Sequence, residues 1–338
     1  MDYIKVIFSV LLAIGMLCAP LLAGRALAEA EPGYDYFIIG NEENVEPVTI
    51  PGLLLMGGST DVDDGFRWLI DKSGGGDFLV IRASGTDAYN PYIYGELGKT
   101  VDSAATLILK KERAAYDPFV INTILQAEAL FIAGGNQWDY VRDWKGTPVE
   151  DAIHQLAARG VPIGGTSAGL AVMGEFVFSA EHETITSQQA LKNPYHPSAA
   201  LATDFLELPH LNGVITDSHF VPRDRMGRLV TFMARILNDG WAGEVKAIGV
   251  NERTALAVEG DGSATLFGEG PVYFLKSTTY PEVCEKSTPL TFRDVQVYRI
   301  GKDGSFNLNS WEGQNGMAYE LSAVEGELIS SQPDGAIY

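Results

Sequence analysis

The chain has 338 residues, of which 46% are hydrophobic and 20% charged, and its formal net charge is −20. That is enough apolar material for one large or two modest packed domains, so disorder of the bulk is excluded. The acidic balance argues against nucleic acid and anionic membrane surfaces as partners and is compatible with a cationic substrate.

Asp2 and Lys5 precede an apolar run from Val6 to about Ala19, and Ala26-Leu27-Ala28 precedes Glu29. This is the layout of a secretory signal cleaved near Ala28, which predicts a secreted or periplasmic chain free of the membrane. The run is short for a span of about 20 residues, and Pro20 and Arg25 interrupt it. Met16-Leu17 before Cys18 is not a lipid-attachment context. Cleavage removes Cys18 and leaves Cys284 alone, so no internal disulfide is expected.

Residues 29–50 are polar and proline-bearing and read as an extended lead-in. Residues 52–58 form an apolar run ending in Gly57-Gly58, which predicts a buried strand stopping at a sharp turn. A helix is expected over 62–72. Strands follow over 77–85, 105–109, 129–135 and 161–165, all but that over 105–109 leaving through small residues or glycine. Helices are expected over 117–125, with Asp117 as cap and Pro118 at the first position, and over 149–159 before Gly160. Another helix begins at Ala168. Residues 181–210 lack periodicity and predict a loop region with a short helix. Then come a strand over 213–216, a helix over 223–237 and β-rich sequence over 247–275. From about 288 the alternation of apolar and polar positions predicts more β-structure. Apolar strands alternating with helices predict an α/β fold with a parallel sheet covered on both faces. Ligands gather at the C-terminal edge of such sheets, where the glycine exits fall.

Gly165-Thr166-Ser167-Ala168-Gly169 matches G-x-S-x-G, a weak signal by itself. Its setting, a buried strand before and an apolar helix after, is that of a nucleophile elbow. A serine hydroxyl needs a base. Of five histidines, His154 falls in a predicted helix, His182 and His196 in the loop region, and His210 before a strand. His219 ends the strand over 213–216 at the edge where Ser167 belongs, and is the candidate base. Asp217 and Glu252 could each orient it, and residue pattern alone leaves both open. Arg223, Arg225 and Arg228 follow at once and suggest a carboxylate-binding corner, with ion pairs to Asp217, Asp224 or Glu252 as the structural alternative. No metal-binding, phosphate-loop or dinucleotide motif is present.

Four segments together resemble the cyanophycinase and peptidase E family of serine peptidases. They are Phe131-Ile132-Ala133-Gly134-Gly135-Asn136-Gln137, residues 164–173, Asp217-Ser218-His219-Phe220 with Arg223, Arg225, Gly227 and Arg228, and Ile248-Gly249-Val250-Asn251-Glu252-Arg253-Thr254-Ala255. The resemblance covers roughly residues 50–275. It implies a flavodoxin-like, class I glutamine amidotransferase-like three-layer sandwich over 51–287, with residues 288–338 as a β-rich C-terminal extension. It implies a triad of Ser167, His219 and Glu252, and an oxyanion hole from N–H groups at Ala168 and near Gly135. It places Gln137, Asp217, Arg223, Arg225 and Arg228 at the substrate site. The implied activity is cleavage of aspartyl or β-aspartyl peptide bonds, including release of β-aspartyl-arginine from cyanophycin, with no cofactor and with homodimers common. Ser218 departs from the family's usual Asp-Gln-His, which removes one hydrogen-bonding arm from the pocket. Two rivals predict different behaviour: a non-catalytic exported binding protein on the same scaffold, and an α/β-hydrolase esterase. The esterase is disfavoured because its order is serine, acid, histidine.

Overall fold

The computed structural model describes residues 31–277 and 279–338; the expected signal segment over 1–28 lies outside them. The strands that position the site are β1 Tyr34–Gly40, β2 Gly52–Met56, β3 Asp77–Arg82, β4 Ser103–Leu109, β5 Ala129–Ile132 and β6 Ile163–Thr166. β7 Val177–Phe178 and β8 Leu201–Ala202 pair with each other, and β9 Val214–Asp217 and β10 Val245–Val250 follow. β11 Thr254–Glu259, β12 Ser263–Gly268 and β13 Val272–Ser277 come next. The last five are β14 Phe292–Ile300, β15 Ser305–Asn307, β16 Glu312–Gln314, β17 Met317–Val324 and β18 Glu327–Ser330.

Ten strands form one sheet in the order β1-β4-β3-β5-β6-β2-β11-β12-β15-β16, with β4, β3, β5, β6 and β2 mutually parallel. Period-two alternation explains its burial on both faces. Leu53, Leu55, Leu79, Ile81, Leu130 and Ile132 face one core cluster, while Leu54, Met56, Phe78, Val80 and Phe131 face another. Val120 and Ile124 of helix Pro118–Leu125, with Ile153 and Leu156 of helix Pro148–Ala158, cover the first face. Phe66, Leu69 and Ile70 of helix Asp63–Lys72 cover the second. Asp117 caps its helix as the sequence predicts, its side chain accepting from Phe119 N–H.

Three expectations need correction. The lead-in contains β1, paired antiparallel along the whole of β4, because Tyr34, Tyr36 and Ile38 alternate inward and the two tyrosines pack on Phe119. The sheet is not single: β9 and β10 pair in parallel within a second sheet, order β18-β17-β14-β13-β10-β9. The β-rich stretch therefore divides, β10 and β13 going to the second sheet and β11 and β12 to the first; the chain crosses at residues 251–253, with Arg253 at φ 53°. The helix after Ser167 is only Ala168–Ala171, because the chain then turns through Gly174 and Phe176 bridges to Ile215 beside β9. The strands from residue 288 onward are built into both sheets, β14 on β13 and β15 on β12. Among the described residues, no helix is long and apolar enough to cross a membrane.

Candidate active site

Parallel register brings the glycine exits to one edge. Met56 lies opposite Thr166, and Ile132 opposite Gly165, so Gly57-Gly58, Gly134-Gly135 and Ser167 emerge side by side. In the second sheet Asp217 lies opposite Gly249, so His219 and Glu252 leave β9 and β10 together. The two sheets meet here, where His219 N–H donates to Gly57 O at 2.8 Å; within the first sheet Ser167 N–H donates to Met56 O at 3.0 Å.

Ser167 has φ 54° and ψ −111°, a strained conformation that projects its hydroxyl from a tight strand-to-helix turn. The flanking glycines are required by close approach. A Cβ on Gly169 would stand 1.9 Å from Ile132 O, and one on Gly165 would stand 2.7 Å from the Gly169 carbonyl carbon. Ser167 Oγ lies 2.7 Å from His219 Nε2, and His219 Nδ1 lies 2.7 Å from Glu252 Oε1. Of the two acids left open by residue pattern, Glu252 is therefore the one against the imidazole. His219, also at positive φ (46°), is 6% exposed. Burial pushes its pKa below the ordinary histidine value; hydrogen bonding to Glu252 pulls the other way, and the charges of Arg223 and Arg225 add to the lowering. The lowering favours the neutral imidazole, the form able to accept a proton.

Asp217 occupies a different place. It is 2% exposed, and Arg228 grips it with Nε at 2.7 Å from Oδ2 and Nη2 at 2.6 Å from Oδ1. Arg225 Nη1 adds a contact at 3.2 Å to Oδ1. Burial alone would raise the carboxyl's pKa, but the charges of Arg228 and Arg225 outweigh it and hold it below the usual value. Burial lowers the Arg225 pKa to about 10, against the pull of Asp217, so it keeps its charge at neutral pH. Asp217 is the buried foundation beneath these arginines. Ser218, 2% exposed, gives its carbonyl and hydroxyl to the same Arg225 Nη1 at 2.8 and 3.3 Å. Arg223 is exposed, its Nε 3.9 Å from Glu252 Oε1.

Arg223, Arg225 and Arg228 line one cavity of about 500 Å³ with Gly135, Gln137 and Phe178. Gln137 Nε2 donates to Phe178 O at 2.8 Å, and the Arg228 guanidinium stacks 4.9 Å over the Phe178 ring. Gly135 lines this cavity, and its chain neighbour Gly134 lies beside the nucleophile, where a Cβ would stand 3.3 Å from Ser167 Cβ. The remaining histidines stand apart: His154 Nε2 accepts from Glu207 N–H, His196 Nδ1 from Ser198 N–H, His210 pairs with Asn309, and His182 is exposed. Among the described residues no group of three or more metal-ligating side chains converges.

Sequence reasoning missed Gly58. It sits at φ +90°, and a Cβ there would lie 2.6 Å from His219 Nε2 and 2.9 Å from Ser167 Cβ. The paired glycines at the end of β2 were the available signal, but nothing in the sequence said which histidine they would face. Gly58→Ala is expected to lower kcat/KM by on the order of 100-fold, because it wedges the serine and imidazole apart. Circular dichroism should show the fold retained.

The sequence profile described as peptidase family S51 matches residues 86–266, just over half of the chain. Among curated relatives, the cyanophycinases of Trichormus variabilis and a Nostoc species are each 28% identical over 204 residues, covering 59% of this chain and 63% of theirs. That of Geminocystis herdmanii is 27% identical over 195 residues, covering 56% and 65%. The chain therefore spans somewhat less than two thirds of the length of these relatives. A crystal structure of a peptidase from an acI-B1 Actinobacterium shares the fold, with a TM-score of 0.52 and 16% identity over 78% of this chain and 98% of that one. Ser167, His219, Glu252 and the three arginines all fall within the matched span, and on that match the chain belongs to peptidase family S51.

Proposed function

We propose that this chain is a serine-type peptidase that cleaves aspartyl or β-aspartyl peptide bonds, with cyanophycin outside the cell as a candidate polymer. The observation that carries the proposal is the unbroken contact line from Ser167 Oγ through His219 to Glu252, both links at 2.7 Å. In this reading His219 Nε2 takes the hydroxyl proton as Ser167 attacks the carbonyl carbon. The same proton then passes to the leaving amine, giving an acyl-enzyme. Water, deprotonated by His219, releases the acid and restores the serine. Glu252 fixes the tautomer with Nδ1–H donating to it, and stabilises the imidazolium. One turn of helix carries little dipole, so the oxyanion falls to backbone N–H groups at Ala168 and near Gly135.

The arginines support the substrate class. Arg223 and Arg225, on one wall of the cavity, suit a carboxylate on the acyl side of the scissile bond, while Arg228, its guanidinium committed to Asp217, Thr184 and Ile185, braces that wall. We assign the core to the class I glutamine amidotransferase-like sandwich over 51–287, with residues 288–338 as a β-rich addition. The N-terminal signal pattern supports action outside the cytoplasm, and no cofactor enters the scheme.

The reading fixes a pH profile. Neutral His219 is the active form and its pKa is lowered by burial, so the acid limb of kcat/KM should fall below pH 6.5, the ordinary histidine value. Glu252→Gln removes an interaction that raises that pKa. The acid limb should then move to still lower pH while kcat drops by on the order of 10²- to 10⁴-fold. A limb that stays in place in Glu252→Gln would separate Glu252 from the imidazole's titration. Mass spectrometry of products from cyanophycin and a panel of aspartyl dipeptides tests the substrate assignment.

A further inference from the structure

Residue 338 lies more than a hundred positions from the loop that carries His219 and the arginines, yet its side chain closes on that loop. The Tyr338 hydroxyl accepts from Met226 N–H at 3.0 Å and donates to Asp224 Oδ1 at 2.9 Å. Met226 opens helix Met226–Asn238, which holds Arg228, and Asp224 lies between Arg223 and Arg225 at φ 47°. The Tyr338 ring meets Phe220, the residue after His219, edge-on at 6.0 Å, and Tyr273 at 5.8 Å. Phe220 cannot retreat, since a Cβ on Gly249 would already lie 2.7 Å from its ring. The segment is itself anchored, because Tyr319 Oη donates to Ile337 O at 2.9 Å.

We propose that Tyr338 is a positioning residue for the arginine corner of the cavity: its phenol ties Asp224 to the start of the helix and so fixes where Arg223 and Arg225 stand. The chemistry suits the task. One hydroxyl satisfies a backbone donor at a helix N-terminus and a carboxylate acceptor at once, and burial, which raises the phenol pKa, keeps the proton on it. The ring and the hydroxyl have separable duties. The ring packs on Phe220, behind the catalytic histidine, and the hydroxyl sets the segment bearing the arginines. Tyr338 therefore contributes to substrate affinity without touching substrate.

This inference rests on the reading that the arginines receive a substrate carboxylate, and the test separates the two. Full-length protein is made with Ser167→Ala alone and with Ser167→Ala plus Tyr338→Phe, and L-aspartate binding is measured by calorimetry. Tyr338→Phe keeps the ring and removes both hydrogen bonds, so the dissociation constant should rise about 3- to 10-fold. In the Ser167-containing protein, Tyr338→Phe should raise KM for an aspartyl dipeptide by the same factor with kcat within about twofold. Labelling of Ser167 by an uncharged fluorophosphonate should be unchanged. An unchanged dissociation constant, no aspartate binding to either protein, or equal losses in kcat and in fluorophosphonate labelling would each overturn the inference. Failure of the peptidase reading appears separately, as undiminished dipeptide hydrolysis by Ser167→Ala.

Discussion

Ser167→Ala should reduce dipeptide and cyanophycin hydrolysis by on the order of 10³- to 10⁶-fold in kcat while leaving substrate affinity within a few-fold of the parent. The asymmetry follows from the geometry. The hydroxyl oxygen is the only atom removed, and it faces His219 Nε2 at 2.7 Å, whereas the arginine-bearing cavity is lined by other residues. The fold should be unharmed. The strained backbone at Ser167 is enforced by the Gly165 and Gly169 contacts and by Ser167 N–H donating to Met56 O, none of which uses the hydroxyl. His219→Ala should act nearly as severely, and the double variant no worse than either alone, because the two groups work as a unit. Progress curves with product quantified by mass spectrometry check all three; a Ser167→Ala protein retaining more than about a tenth of the activity contradicts the assignment.

The second large effect is on stability. Arg228→Met is expected to destabilise the protein by about 3 kcal/mol, because it leaves the Asp217 carboxylate, in a site only 2% exposed, with a single Arg225 contact in place of the two-point grip of Arg228. The cost is larger than for a surface ion pair. Arg228 also carries hydrogen bonds to Thr184 Oγ1 at 3.2 Å and Ile185 O at 3.4 Å, and it stacks on Phe178, so the loop walling the cavity loosens with it. Asp217→Asn removes the charge that offsets the buried Arg228 guanidinium and the partly buried Arg225 one, and should cost a similar amount. The double variant Asp217→Asn/Arg228→Met should be more stable than the sum of the singles, since neither member is left unpaired. Urea unfolding of the four proteins gives the coupling energy. Additive losses would mean that the pair is not coupled. The carboxylate also contributes a pH dependence of known sign: its folded-state pKa is lowered, so its stabilisation is present above the unfolded value near 3.9 and is lost as pH falls through the lower folded value.

Much of the site was legible because its chemistry is local in the chain. The elbow glycines, the strand before Ser167 and the run from Asp217 to Arg228 each sit within a dozen residues, and their spacing limits what they can form. The choice between Asp217 and Glu252 was not legible, because both follow short strands that approach the same edge. It turns on Arg228, eleven residues after Asp217 and in the first turn of the next helix, which reaches back to claim that carboxylate. The division into two sheets was equally hidden. β10 and β11 are both short, almost wholly buried apolar runs, and the chain passes from one sheet to the other between them, through Arg253 at φ 53°. β1 was obscured by its polar surroundings; Tyr34, Tyr36 and Ile38 are a strand face only once Phe119 is there to receive the tyrosines. Gly58 and Tyr338 act through contacts with residues more than a hundred positions away, which no pattern along the chain encodes.

The relay from Ser167 to His219 is tested most directly by the rate at which a fluorophosphonate labels Ser167, read by intact-mass and peptide mass spectrometry at pH 7. The account predicts a single adduct on the peptide containing Ser167, forming at least about 100-fold more slowly in His219→Ala. No adduct on the parent protein, or equal labelling rates in the parent and His219→Ala, would contradict it.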